Sequence, residues 1–282
     1  MKMRNKSTIL AFVADLNSNV RIESAAEKIG FRVHGVENAD TFGPPDVERI
    51  GRQFAEPLEG RKYYLIETIT QIRPRLIIFD LSNQAIPWEE WIQVITSVPA
   101  TRRFPVLCFG SHVDLETLKR ARKAGATRVV PRSKFFGDLP ELIQELALVD
   151  NIEGIDSGCK EELSTEARKG LEEFNRGEYF QAHESLESAW NADTTPTREL
   201  YRAVLQVAVA YYQIVRRNYN GALKMFLRVR QWIEPLPDSC RGINVAQLRA
   251  DVQNAYNELL SKGPARISEF DRSLLRPIQF EG

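Results

Sequence analysis

The chain reads as an α/β module with a five-stranded parallel sheet, followed by an all-α helical bundle. Three observations predict this. In the first half, short apolar runs closed by an acid or a turn alternate with amphipathic stretches, the pattern of strands covered on both faces. From Ser164 onward no convincing strand occurs, and apolar residues recur at three and four. Between the halves, Asp150 to Lys160 is poor in apolar residues and carries Gly154, Asp156, Ser157 and Gly158, an exposed joint. At 282 residues two domains are the prior expectation. The expected limits are 1–149 for the α/β module, 150–163 for the linker, 164–262 for the bundle and 263–282 for the tail.

Ile9 to Ala14 is the first strand, and Asp15 ends it. Val20 to Ile29 forms a helix closed by Gly30. Phe31 to Val36 alternates as a second strand. Pro44-Pro45 opens an irregular or partly helical insertion, and Arg61 to Ile72 is a helix. Leu76-Ile77-Ile78-Phe79 is the clearest buried strand and ends at Asp80. Val106 to Phe109 is the fourth strand, Leu115 to Lys123 a helix, Arg128 to Val130 the fifth strand and Leu139 to Leu148 the last helix. In a parallel sheet functional groups gather beyond the carboxyl ends of the strands, so Asp15, Asp80 and Ser111 share one edge.

In the second half, Ala167, Gly170, Leu171 and Phe174 give one helix face, ended by Gly177. Tyr179, Ala182, His183, Leu186 and Trp190 fall in the stripe of the next helix. Thr195-Pro196 starts a strongly apolar helix running to Arg217. Asn218 to Gly221 is a turn, and Ala222 to Ile233 a helix broken by Pro235 and Pro237. Asn244 with Gln247 caps a last helix, and the tail is extended or loosely docked. The helix pairs echo each other about forty residues apart, which is repeat logic of the tetratricopeptide kind. In that echo His183 answers to Leu223, and Glu187 to Leu227.

Acidic and basic residues balance at 38 each, so no electrostatic drive toward nucleic acid or an anionic membrane is expected. The basic opening Lys2-Met3-Arg4-Asn5-Lys6 precedes an apolar run too short to span a bilayer, with no cleavage site, so no signal peptide is expected. Cys108, Cys159 and Cys240 are odd in number and scattered, with no CxxC pair and no plausible disulfide set. That favours a reducing cytoplasm, with Cys159 a free exposed thiol.

Pro74 to Asp80, Phe104-Pro105-Val106-Leu107 and Gly125 to Val130 resemble the receiver domain of two-component response regulators, over roughly residues 7–149. The resemblance implies a phosphoacceptor at Asp80, a magnesium ion held by acids after the first strand, a Thr or Ser after the fourth strand and a Lys after the fifth. Here only Asp15 stands where two acids are expected, Gly110 takes the Thr/Ser position with Ser111 next to it, and Arg132 replaces the Lys. About twenty residues are also inserted before the third strand, by the usual lengths of such connections. Phosphoryl transfer depends on charge neutralisation, and magnesium needs several oxygen ligands. The expectation is therefore a pseudo-receiver without a cofactor, in which Asp80 caps nearby backbone amides. Weak phosphate acceptance with magnesium at Asp15 and Asp80 is the alternative.

Phe174-Asn175-x-Gly177-x-Tyr179-x-x-Ala182-His183-Glu184-x-Leu186-Glu187-x-x-Trp190, Leu205-Gln206-x-Ala208-x-Ala210 and Asn218-x-x-Gly221-Ala222 resemble the family called domain of unknown function 309, from about 167 to 234. The resemblance implies a helical bundle and a His-Glu motif, without an activity. A buried imidazole needs a partner. The expectation is a polar cluster of Asn175, Tyr179, His183, Glu187 and Gln206, with Glu187 satisfying the ring one turn away. His183 and Glu187 have metal-ligand spacing but lack the second His of HExxH. The reading is a non-enzymatic regulatory or scaffolding protein whose bundle binds a protein partner, with a homodimer as a further option. The alternative is a metal-dependent hydrolase using His183, Glu184 and Glu187.

Overall fold

The computed structural model describes residues 7–43 and 60–281. The insertion read from Pro44-Pro45 and the basic opening lie outside the described residues. The chain divides into two compact units between Val149 and Asp150.

In the first unit, β1 (Ser7–Phe12), β2 (Phe31–Val36), β3 (Leu76–Asp80), β4 (Val106–Gly110) and β5 (Arg128–Pro131) form one parallel sheet in the order β2-β1-β3-β4-β5. Period-two alternation sorts each strand between two cores. Leu10, Phe12, Ile77, Phe79, Val106 and Cys108 enter one; Ile9, Ala11, Leu76, Ile78, Leu107 and Phe109 enter the other. Helices α1 (Leu16–Lys28), α2 (Gly60–Ile72), α3 (Trp88–Ser97), α4 (Leu115–Lys123), α5 (Arg132–Gly137) and α6 (Leu139–Leu146) complete the unit. The sequence reading gave no helix at α3. Its Trp91, Ile92 and Ile95 recur at helical spacing and are buried, with Trp91 set edge-on against Phe12 at 5.3 Å. The strand order reverses at β1, where its two neighbours β2 and β3 flank it. The crevice beyond the carboxyl ends of β1 and β3 is therefore the topological switch point.

The second unit comprises α7 (Ile152–Gly158), α8 (Thr165–Asn175), α9 (Tyr179–Ala192), α10 (Glu199–Val215), α11 (Tyr219–Ile233), β6 (Ser239–Cys240), β7 (Ile243–Asn244) and α12 (Val245–Lys262). Gly177, at φ +79°, ends α8 in the left-handed region that glycine enters cheaply. Gly170 lies under α9: a Cβ there would sit 2.7 Å from Leu186 Cγ, so the small residue permits the close crossing. Two helix starts differ from expectation. Pro196 opens a 3-10 turn, Pro196–Arg198, before α10 begins at Glu199. Asn218 caps α11, its Oδ1 accepting from the Gly221 N–H at 3.0 Å, so the stretch read as a turn is the first helical turn.

Three further expectations are corrected. The stretch read as an exposed linker contains α7, whose Ile155 and Gly158 are buried and whose Ile155 carbonyl accepts from Thr197 Oγ1 at 3.3 Å. Cys159 is not a free thiol; it is bonded to Cys240, 81 residues away. Cys108 is the remaining free cysteine, buried in the sheet. The second half is also not strandless. Arg241 and Gly242, at φ +49° and +76°, make a two-residue turn that folds β6 back on β7. That hairpin carries Cys240 to Cys159, and the Arg241 N–H donates to the Cys159 carbonyl at 2.7 Å. The tail extends the hairpin: Phe280 bridges Ile243, and the Glu281 N–H donates to the Gly242 carbonyl at 3.0 Å. Sequence distance hid these pairings, because nothing local marks contacts that close over dozens of residues. No helix among the described residues is long and apolar enough to cross a membrane.

Candidate functional site

Asp80 closes β3 with its side chain only 4% exposed. Arg132, the first residue of α5, donates from Nη2 to both carboxylate oxygens at 2.8 Å. Ser82 donates to Oδ1 twice, from Oγ at 2.6 Å and from its backbone N–H at 3.0 Å. The Ser82 hydroxyl also accepts from Arg132 Nη2 at 2.7 Å, which closes a three-residue ring of hydrogen bonds. Arg132 is held from below by the Phe109 ring at 4.9 Å and reaches Ser18 Oγ at 3.3 Å through Nη1. Both oxygens of Asp80 are therefore engaged by donors of this chain. Ser82 and Ser18 were not among the sequence candidates; their signal was only nearness to the acids.

Asp15 is exposed and caps α1, its Oδ2 accepting from the Ser18 N–H at 2.8 Å. Hydrogen bonding to Ser18 holds its carboxyl below the usual range. Ser111 is exposed just beyond β4. Magnesium fits this set poorly. One acid is committed to a helix cap, the other to a guanidinium and a hydroxyl, and a cation would have to displace Arg132. Among the described residues no three His, Cys, Asp or Glu side chains stand where they could hold a metal ion.

The His-Glu motif differs from expectation. His183 is half-buried and makes no hydrogen bond or ion pair, and Glu187 and Glu184 are exposed. The core stripe of α9 is carried by Ala182, Leu186 and Ala189, which leaves His183 on its shoulder and turns Glu187 further outward. Leu223 and Leu227, the echo positions on α11, are buried, so the two hairpins do differ there. No hydrogen bond joins any two of the five residues of the expected cluster. Asn175 instead brackets the backbone of Ile278, accepting its N–H at 2.7 Å and donating to its carbonyl at 2.9 Å. Tyr179 packs edge-on against Phe174 and Tyr211, and burial raises its hydroxyl pKa. Gln206 is buried, with its Oε1 unpartnered.

Two charged groupings of the second unit were missed. Arg241 is buried to 4% of its side chain and donates to Gly158 O, Asp193 Oδ2, Tyr201 OH and Glu161 Oε2 at 2.6–3.0 Å. It ties the hairpin to three other segments, at 158–161, Asp193 and Tyr201, and its signal was an Arg-Gly pair between a Cys and an Ile. Arg198 and Arg202 lie over the Trp190 ring, at 4.5 and 4.9 Å.

Fold and site together define a flavodoxin-like α/β module in which Asp80 at the end of β3 meets Arg132 after β5, followed by an α-helical bundle. The model of the family described as domain of unknown function 309 matches residues 167–225. An uncharacterized protein of Aquifex aeolicus (strain VF5) is 27% identical over 78 residues, 27% of this chain and 23% of that one. The chain thus spans under a quarter of that curated relative. Among solved structures, a putative response regulator from Chloroflexus aurantiacus J-10-fl is similar at 14% identity and TM-score 0.39, over 50% of this chain and 98% of its own. The receiver domain of sensor histidine kinase PA1611 from Pseudomonas aeruginosa PAO1 is similar at 13% identity and TM-score 0.38, with the same coverage.

Proposed function

We propose that this is a non-enzymatic regulatory or scaffolding protein, with a permanently locked pseudo-receiver unit joined to a partner-binding helical bundle. The observation that carries it is the ring formed by Asp80, Arg132 and Ser82. A phosphoacceptor must offer one oxygen to the donor and share the other with a metal. Here both are held by fixed donors, and a guanidinium does not leave by deprotonation. The unit therefore contributes a surface of constant shape, and the bundle supplies recognition of a protein partner.

Mass spectrometry of the full chain, after incubation with acetyl phosphate and magnesium, tests this. The expected result is no phosphoryl gain in the natural protein, nor in Asp80→Asn. A stoichiometric gain that Asp80→Asn abolishes would overturn the lock. Capture of the same protein partner by the full chain and by a Phe180→Ala variant would count against α9 as the recognition face, since Phe180 is exposed beside Tyr212.

A further inference from the structure

We infer that the end of the bundle where α9 meets the start of α10 is an oxyanion site, for a small ligand or a side chain carrying a phosphate or carboxylate. Arg198 Cζ stands 4.5 Å from the Trp190 ring centroid, and Arg202 Cζ stands 4.9 Å from it and 3.8 Å from the Trp232 ring. Two guanidiniums are thus pressed on one indole. Attraction to a ring face holds each guanidinium in place and uses none of its N–H donors. Like charges brought together favour an anion nearby. The acidic group at hand is Glu199, and it reaches only Arg202 Nη1, at 3.4 Å. Arg198 has no acceptor at all, and its Nε is shut off from water. Trp190 Nε1 is likewise buried without an acceptor.

Donors without acceptors in one place are uncommon, because buried polar groups are nearly always satisfied. The shortage here is one-sided: the indole N–H and the Arg198 Nε–H both lack an oxygen, and Arg202 has only a long bond. An oxyanion on the solvent side of Arg198 and Arg202 would supply lone pairs to both guanidiniums and neutralise the excess charge. The planar fork of arginine suits carboxylate and phosphate. The nearby Arg241 does not compete, since its donors are taken by Asp193, Glu161 and Tyr201. This site goes beyond the reading given above and stands independently of the lock at Asp80.

Isothermal titration of the full chain at constant ionic strength is the test, with inorganic phosphate in one arm and citrate in the other. The expected result is a saturable isotherm in at least one arm, and the stronger arm tells phosphate from carboxylate. Arg198→Gln should weaken it about tenfold or more, the loss of a charge-assisted hydrogen bond. Trp190→Phe deletes the indole N–H and shrinks the platform on which both arginines lie, and should weaken binding several-fold. Lys224→Gln removes an exposed charge on α11 and should leave binding unchanged. If Arg198→Gln fails to fold, Trp190→Phe decides. The inference is overturned by an absence of saturable heat in both arms, or by equal affinity in the natural protein and Trp190→Phe. It is also overturned if Lys224→Gln weakens binding as much as Arg198→Gln, which would be bulk charge screening.

Discussion

Replacing both bonded cysteines, as Cys159→Ala with Cys240→Ala, should cost the second unit several kcal/mol. The bond joins residues 81 apart, and closing a loop of that length removes about 15 cal/mol/K from the unfolded chain, or about 4.5 kcal/mol at room temperature. Engineered losses usually fall short of this limit, since unfolded chains are not ideal coils, so about 2–4 kcal/mol is expected. Cys240 is almost fully buried and Cys159 half-buried, so truncation adds a small packing loss at one end only. Urea unfolding followed by far-UV circular dichroism, without reductant, reads the effect. With slopes of about 1–3 kcal/mol/M, the midpoint of the helical unit should fall by about 1–2 M. Added reductant should lower the natural protein toward the variant and leave the variant unmoved. Coincident midpoints, or alkylation of Cys159 in the native unreduced chain, would refute the reasoning.

Other outcomes follow from the same contacts. Arg132→Ala should destabilise the α/β unit by about 2–3 kcal/mol, less than for a wholly buried pair because Arg132 is 37% exposed and water can reach Asp80; thermal melts compared with Arg132→Lys, which should lose less, check it. Gly170→Ala would gain about 1 kcal/mol of helix propensity but push a Cβ to 2.7 Å from Leu186 Cγ, so net destabilisation is expected, against little change for Gly137→Ala, where the space is open. Asn175→Ala should cost about 1–3 kcal/mol and release the tail, read as faster proteolysis after Leu275 and faster exchange of the Ile278 amide. Burial pushes the Asp193 carboxyl up, but hydrogen bonds from Thr195 and Arg241 outweigh it and leave it below its ordinary value. Its stabilisation is therefore full above the unfolded carboxylate pKa, near 3.9, and is lost as pH falls through the lower folded value. The stability gap between the natural protein and Asp193→Asn should be open at pH 6 and close as the pH drops below about 4.

The order of strands and helices in the first unit was legible because each strand is an apolar run covered on both sides, a signal that needs no distant information. The site at Asp80 was half legible. The strand-end positions of Asp15, Asp80, Ser111 and Arg132 follow from the alternation, and the missing second acid already argued against a metal clamp. That Arg132 and Ser82 close on Asp80 was not, since a side chain 52 residues along the chain reaches the carboxylate only once the sheet has formed. Helix α3 was lost to its unfamiliar entry through Pro87 and Trp88.

In the second unit the helices from α8 onward and the close crossing at Gly170 follow from spacing and residue size, which act locally. The roles of individual polar residues do not. His183 lies a fraction of a turn off the core stripe, and a shift that small separates a buried, paired ring from a half-exposed, unpaired one. The Cys159–Cys240 bond, the Arg241 hub and the docking of Ile278 between α8 and the hairpin depend on a two-residue turn with positive φ. Sequence determined most of where the backbone would curl or extend, α3, α7 and the β6–β7 hairpin excepted, because periodicity and turn chemistry are short-range. Only the tertiary structure decided which charges meet, because that depends on loop closure across dozens of residues and on which flank of each helix faces its neighbours.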